Sequence, residues 1–303
     1  MWSAQNNMKL WMLGNRITKE TYERERFLEE SAKYNIDFNL VFADEIDLIV
    51  SRDDRKSIRY RNDIVPLPDV VLARTGSGTG YFNLSVLRQF ERLNVPTLPN
   101  SSSIEASKDK MYANQILGQA GLPIPKTMLT RFPCKADLVE KQVGFPCVLK
   151  VITGSHGAGV YLCENAKQFE DLSELISTLE PKTSLIVQEY VSYSEGRDLR
   201  VIVIGGRVVG AMLRRSTDGS FKANISRGGE GTPYDVDDQM EMLAVQVAKT
   251  LDMDIAGVDL LFSTDGYKIC EANSSPGFRG FEEALGINVP EKIFNYARFK
   301  VSK

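Results

Sequence analysis

The sequence holds one histidine, His156, among 303 residues. A single imidazole excludes a multi-histidine metal centre and makes serine–histidine–aspartate chemistry a poor candidate. None of the four cysteines, Cys134, Cys147, Cys163 and Cys270, belongs to a CxxC pair. All but Cys134 fall in apolar, strand-like runs. They read as reduced, mostly buried thiols of an intracellular protein, not as a disulfide or zinc framework. No apolar run reaches the roughly 18 residues that a membrane span needs. Residues 1–7 are polar and carry no signal-peptide core, and Met8 is a second candidate start. A cytoplasmic protein with no membrane partner is expected. Internal repeats and low-complexity segments are also missing. The net charge is only −3, which argues against bulk nucleic-acid binding as the main activity.

What is present suits a folded chain with a large core. Hydrophobic residues make up 43% and charged residues 25%, ordinary for a globular protein, and the length suggests about two domains. Apolar runs at Leu10–Leu13, Phe38–Phe42 and Asp69–Arg74 alternate with helix-patterned stretches at Thr18–Tyr34 and Asn83–Leu93. This alternation predicts an open parallel sheet, whose ligands bind beyond the carboxyl ends of its strands. Arg74 stands at such an end. The charged stretch Ser51–Asp63 predicts an exposed ribbon or loop. Pro99–Ser103 is a plausible boundary; helical residues follow to Ala120, with Gly121 as a cap and Pro123 as a stop. From about residue 123 onward the strands come in adjacent pairs with helices between them, at Ala166–Leu179, Asp235–Leu251 and Pro290–Ala297. The fold class is therefore an α/β N-terminal domain followed by an α+β unit.

Gly257–Gly277 is the most informative stretch. It reads as two strands joined by a tight turn at Thr264, Asp265 and Gly266. With a three-residue loop, Asp259 lies directly opposite Glu271. Asn273, two residues on, shares the face of Glu271. A two-residue loop would shift the register and break the cluster. Two carboxylates and an amide oxygen on one rigid hairpin make a hard-oxygen site of the kind that holds Mg2+ with phosphate oxygens. On spacing alone, a polar edge hairpin with solvated side chains is equally admissible.

Other candidates precede it. Gly154, Gly157 and Gly159 lie in a loop between two strands, where glycine lets backbone N–H groups approach a ligand. It is no P-loop, which would enter a helix. Lys150 ends the strand before that loop and could reach phosphates under it. Gln188-Glu189-Tyr190-Val191 is a strand exit at which backbone groups could read an adenine edge, and Asp198 could bind ribose hydroxyls; a plain strand end is the simpler reading of each. Arg200, Arg214, Arg215, Lys222 and Arg227 suggest an anion pocket. Arg214 and Arg215 face opposite sides of their strand, so at most one of them lines that pocket through that strand.

Taken together these pieces resemble the ATP-grasp superfamily, specifically the RimK-like carboxylate–amine ligases. The matching segments are Ser-Lys-Asp-Lys (107–110), Val-Leu-Lys (148–150), the loop at 154–159, Gln-Glu-Tyr-Val (188–191), Asp-Leu-Arg (198–200), Arg-Arg (214–215), Phe-Lys-Ala-Asn (221–224), Arg-Gly-Gly (227–229), Gly-Val-Asp (257–259) and Glu-Ala-Asn-Ser-Ser-Pro-Gly (271–277). Each is weak alone; ten in the family's order are specific. The resemblance implies three parts: an N-terminal domain over 1–98, an ATP-grasp subdomain with the phosphate-covering loop over 99–185, and one with metal and substrate sites over 186–303. It implies that Lys110 and Lys150 contact ATP phosphates with Gly154, Gly157 and Gly159 over them. Glu189, Tyr190 and Val191 would hold adenine and Asp198 the ribose, while Lys222 and Asn224 would reach the phosphate region. Asp259, Glu271 and Asn273 would hold two Mg2+, with Mn2+ also acceptable.

The implied reaction forms an amide through an acyl phosphate, with glutamate as amine donor and an acidic small molecule or peptide tail as acceptor. Arg74, Arg200, Arg215 and Arg227 are the candidates for substrate carboxylates, and Arg215 and Arg227 also for catalysis. A homo-oligomer, dimer or tetramer, is expected. Lys222 stands where RimK carries arginine, and Ser-His occupies the loop tip, which leaves substrate geometry open. The competing class is an ATP-binding sensor or partner protein that kept the fold without turnover. A Rossmann-type oxidoreductase is disfavoured, because Gly76–Gly80 lacks the required glycine spacing.

Overall fold

A computed structural model describes residues 7–14, 16, 21–50, 52, 57–76, 79–151, 159–180, 182–221, 223 and 229–303. The expected parallel sheet is present. Strands β1 (Met8–Gly14), β2 (Ile36–Phe42), β6 (Val70–Arg74) and β7 (Thr97–Leu98) pair in parallel in the order β2-β1-β6-β7. All five residues of β6 are buried, as a strand covered on both faces requires. Helices α1 (Thr21–Lys33) and α2 (Tyr81–Arg92) connect them. The described part of the charged Ser51–Asp63 stretch contains strands that its composition does not suggest. It contains β4 (Ile58–Tyr60) and the start of β5 (Asp63–Ile64), which join β3 (Ile46–Leu48) in a small antiparallel sheet.

The helical stretch after Pro99 is two helices, α3 (Ser101–Lys108) and α4 (Lys110–Gln119). Asp109 between them is extended, and its carboxylate accepts from the N–H groups of Met111 and Tyr112. An aspartate that caps a new helix ends the old one.

Two antiparallel sheets follow. The first contains β8 (Thr127–Arg131), β9 (Cys147–Val151), β10 (Val160–Cys163) and β11 (Ser184–Glu189), in the order β10-β9-β11-β8. Helices α5 (Ala136–Gln142) and α6 (Ala166–Leu179) share a core with it through Val139, Phe169 and Leu149. The second contains β12 (Arg197–Ile204), β13 (Arg207–Arg215), β14 (Glu230–Tyr234), β15 (Ile255–Ser263) and β16 (Gly266–Asn273), in the order β14-β13-β12-β15-β16. Helix α7 (Asp238–Thr250) covers one face of this sheet, packing Met240, Leu243 and Val247 on Leu199, Val201, Val258 and Leu260. Elements α5, β14 and α8 (Arg279–Leu285) were not expected from the sequence.

The other face of the five-stranded sheet is divided. Ile202, Ile204 and Met212 on it share a core with β1, β6 and helix α9 (Val289–Val301). Phe27 of α1 sits at the centre of that core, with ring centroids 5.6 Å from Phe278 and 5.8 Å from Phe294. The remainder of the face carries charge and is described below. The first sheet and the last are thus joined by one continuous apolar core, which no linker-like composition signals.

Polar contacts border the same junction. Arg26 donates to Glu282, Glu29 and Glu30, and Asn288 donates to Glu30. Burial opposes the charge on Glu30, but hydrogen bonds from Lys33, Asn288 and Arg26 outweigh it and hold the carboxyl at about 2, against an ordinary 4.5. A depressed pKa contributes stability that is present above the unfolded value and lost as pH falls through the folded one. Acid unfolding should therefore draw on Glu30 between pH 4.5 and about 2. Glu30→Gln is expected to lower stability at neutral pH and to flatten the pH dependence in that window, read as thermal midpoint against pH.

Candidate active site

The hairpin of β15 and β16 turns in two residues, not three: Ser263 pairs with Gly266 across Thr264 and Asp265. Taken alone, this turn should have broken the acidic cluster. It does not, because the register shifts between Asp259 and Leu260. Leu260 pairs with Ile269 and Asp259 with Glu271, so Cys270 is the extra residue of a β-bulge. The bulge also reverses the phase of side-chain alternation. Tyr267, Ile269 and Ala272 all enter the core under α7. Lys268 and Glu271, an odd number of residues apart, can then both lie on the opposite face.

That face carries a row of paired charges. Asp259 is 3% exposed. It accepts from Arg200 Nε, from Arg200 Nη2 at 2.7 Å and from Arg214 Nη2 at 2.9 Å. Arg214 also holds Asp198 in a fork, at 2.6 Å from Nε and 2.8 Å from Nη2. The strand register dictates these contacts, since Asp198 lies opposite Arg214 and Arg200 opposite Asp259. Burial disfavours charge on Asp259, yet the two guanidinium groups overcome it and hold its carboxyl below the usual carboxylate range. Arg214, named from the sequence among the pocket cations but given no substrate or catalytic role there, is the one of the pair on this face. Arg215 ends β13 exposed and, by alternation, on the opposite side. That only one of the two could line the pocket was legible; which one was not.

Glu271 and Asn273 are half-buried on the same face. Asn273 Nδ2 donates at 3.4 Å to both Gly257 O and Glu271 Oε1. Among the described residues no group of three or more His, Cys, Asp or Glu side chains gathers to hold a metal alone. The set has instead two carboxylates and an amide oxygen. That composition fits Mg2+, which takes one or two carboxylates and completes its shell with waters and phosphates. Asp259, Glu271 and Asn273 would hold it.

The other end of the hairpin meets the four-stranded sheet. Lys268 Nζ lies 2.5 Å from Glu189 Oε1 at the end of β11. The second Glu189 oxygen accepts from the Lys126 N–H at 3.0 Å, and the Glu189 N–H donates to Lys126 O at 2.8 Å. Burial resists charge on Glu189, but Lys268 and the Lys126 N–H keep its carboxyl below the ordinary value. Tyr190 packs edge-on against Phe221, 6.3 Å between centroids, and burial pushes its hydroxyl up to about 12. Val191 follows, half-buried. Lys150 Nζ donates to Gln188 Oε1 at 2.6 Å. The Cys270 thiol, raised to about 11 by burial, feels the charges of Lys150, Glu271, Asp259 and Asp198. Lys150 and the acidic hairpin therefore lie near one another at the junction of the two sheets, the cleft of this fold. Lys110 opens α4 and is half-buried; Gly159, with φ of +69°, opens into β10. Gly154, Gly157, Lys222, Asn224 and Arg227 lie outside the described residues, as does His156.

Arg74 does end its parallel strand, as expected, but its guanidinium turns to the protein. It is 4% exposed and donates from Nη1 to Pro276 O at 2.8 Å.

Comparison with known proteins fits this arrangement. Residues 107–297 match the RimK-like ATP-grasp domain, and residues 8–104 match the RimK PreATP-grasp domain. The chain belongs to the RimK-like ATP-grasp family. Among its relatives is a probable alpha-L-glutamate ligase 1 of Shewanella frigidimarina, 37% identical over 241 residues, 79% of each chain. A probable alpha-L-glutamate ligase of Psychromonas ingrahamii is 33% identical over 292 residues, 95% of this chain and 94% of that one. The fold is shared with the ATP-grasp ligase PsnB complexed with a phosphomimetic variant of a minimal precursor, Mg and ADP, at TM-score 0.76 and 19% identity, covering 97% and 99% of the two chains. It is shared also with the D-alanine–D-alanine ligase of Bacillus anthracis complexed with ATP, at TM-score 0.68 and 15% identity, covering 98% and 99%. As a RimK-like ATP-grasp protein the chain is an ADP-forming ligase that joins a carboxylate to an amine, and ATP and Mg2+ belong to that chemistry. No helix among the described residues is long and apolar enough to cross a membrane.

The buried charge row yields a test. Arg214→Met leaves Asp198 and Asp259 without their shared cation, which should cost about 3–5 kcal/mol of stability. Thermal or denaturant unfolding measures it. Arg215→Met, at an exposed position, should change stability by under about 0.5 kcal/mol.

Proposed function

We propose that this chain attaches L-glutamate, through its amine, to an acidic small molecule or a peptide C-terminus. The reading is carried by the single face of β16. There Lys268 meets Glu189 at one end, and Glu271 and Asn273 stand beside Asp259 at the other. Asn273 lies five residues on from Lys268, roughly 16 Å of strand, a span suited to a nucleotide lying from base to reacting phosphate. Glu189, Tyr190 and Val191 take the adenine and Asp198 the ribose edge. Lys110 and Lys150, with Gly154, Gly157, Gly159, Lys222 and Asn224, take the phosphates. Two Mg2+ held by Asp259, Glu271 and Asn273 would neutralise charge on the transferring phosphoryl group.

The acceptor's carboxylate oxygen attacks the γ-phosphorus and ADP leaves. The amine nitrogen then attacks the acyl carbon, losing a proton, and phosphate departs with its oxygen. No side-chain nucleophile is needed, consistent with one histidine and no exposed catalytic-looking cysteine. Positioning and charge carry the rate. Arg200, beside Asp259, and Arg227 are the arginines we assign to the carboxylates of glutamate and acceptor; Arg215, exposed on the opposite side of its strand, is dropped from that role. The names of the relatives support glutamate as the amine donor.

ADP release should require both an amino acid and an acidic acceptor, with glutamate giving the highest kcat/KM and a product mass equal to the two joined with loss of water. Glu271→Gln should lower kcat at least about 100-fold. An ATP-binding protein without turnover would release no ADP with any pair and would be indifferent to that substitution.

A further inference from the structure

The segment Pro276–Phe278 follows directly on the metal-end residues and is held at both ends by the N-terminal domain. Arg74, at the carboxyl end of β6, takes the carbonyl of Pro276 at 2.8 Å. Glu23, in the first turn of α1, accepts the N–H of Phe278 at 3.1 Å. Both side chains are buried, Arg74 at 4% and Glu23 at 8% exposed. Beneath the segment, Pro276 lies so close to Gly257 that a Cβ there would fall 2.6 Å from the proline Cβ. The Phe278 ring is fully enclosed against Tyr22 and Phe27. Gly277 alone stays exposed, between two pinned neighbours.

Among the described residues this buried carboxylate meets one backbone N–H, 255 residues away in sequence, a costly device for stability alone. Its effect is to fix one peptide at the end of the cleft farthest from Glu189. We infer that Glu23 and Arg74 are positioning residues. From the N-terminal domain they hold residues 276–278 so that the exposed Gly277 backbone forms a wall for the reacting amino acid and acid, not for the nucleotide base. This rests on the ligase reading above for its substrates, but the clamp itself is a property of the contacts.

Three variants test it. Glu23→Met keeps the length and removes the acceptor. Glu23→Gln keeps an oxygen that can accept from Phe278 N–H. Arg74→Met releases the other end and serves if Glu23→Met does not fold. Glu23→Met should speed amide hydrogen exchange at Phe278 and raise the KM for the amino acid or acceptor about tenfold, the loss of one hydrogen bond to a charged group. The KM for ATP should stay within about twofold, and Glu23→Gln should recover most of the loss. Unchanged exchange at Phe278, equal rises in every KM, or Glu23→Gln as impaired as Glu23→Met would overturn the inference. Should the wild type release no ADP with any substrate pair, the ligase reading fails, while exchange at Phe278 still decides the clamp.

Discussion

The cleft depends on the neutralisation of Asp259. A carboxylate 3% exposed in a sheet interior is untenable alone, and two guanidinium groups from neighbouring strands make it tenable. Strand register alone brings them there. Asp198 and Arg214 face each other, Arg200 faces Asp259, and Arg214 reaches diagonally to Asp259. The part of the face that carries these groups can therefore be neither shifted by a residue nor covered by apolar packing. That leaves the opposite face for α7. The same arginines would supply positive charge to the phosphoryl transfer proposed above.

Much of this was legible in the sequence because it is periodic or local. The parallel sheet followed from β/α alternation, and α6 matched its expected bounds, Ala166–Leu179, because both capping and amphipathic signals were present. The pairing of Asp259 with Glu271 was reached by a wrong route: a three-residue turn was expected where a two-residue turn and a bulge occur. The two routes give the same pair but opposite fates for Lys268, which a regular strand would have sent into the core. A bulge has no short sequence signature, so the contact of Lys268 with Glu189 was invisible. The choice of Arg214 over Arg215 was equally hidden, since it hangs on where β13 begins to alternate. Short elements such as α5 and β14 carry too few residues for a period to register.

The apolar junction around Phe27 was hidden for a different reason. Tertiary packing between residues 27, 278 and 294 leaves no local trace. Its presence makes the N-terminal domain part of the support of the active site. The polar contacts of Arg26, Glu30, Glu282 and Asn288 border the same junction, so the two ends of the chain are held together where the acidic hairpin runs out.

The extra residue at Cys270 has a consequence of its own. Removing it would leave β16 alternating evenly, with Leu260 still facing Ile269, Asp259 still facing Glu271, and Gly257 still facing Asn273. Cys270 therefore carries no pairing information. What it adds is curvature and a soft, uncharged surface between two ionic poles. The strand buckles between Lys268 and Glu271, and the extra residue spaces the lysine end from the carboxylate end. The buckle keeps Lys268, paired with Glu189, apart from Glu271, so that the two charges of β16 do not pair along their own strand.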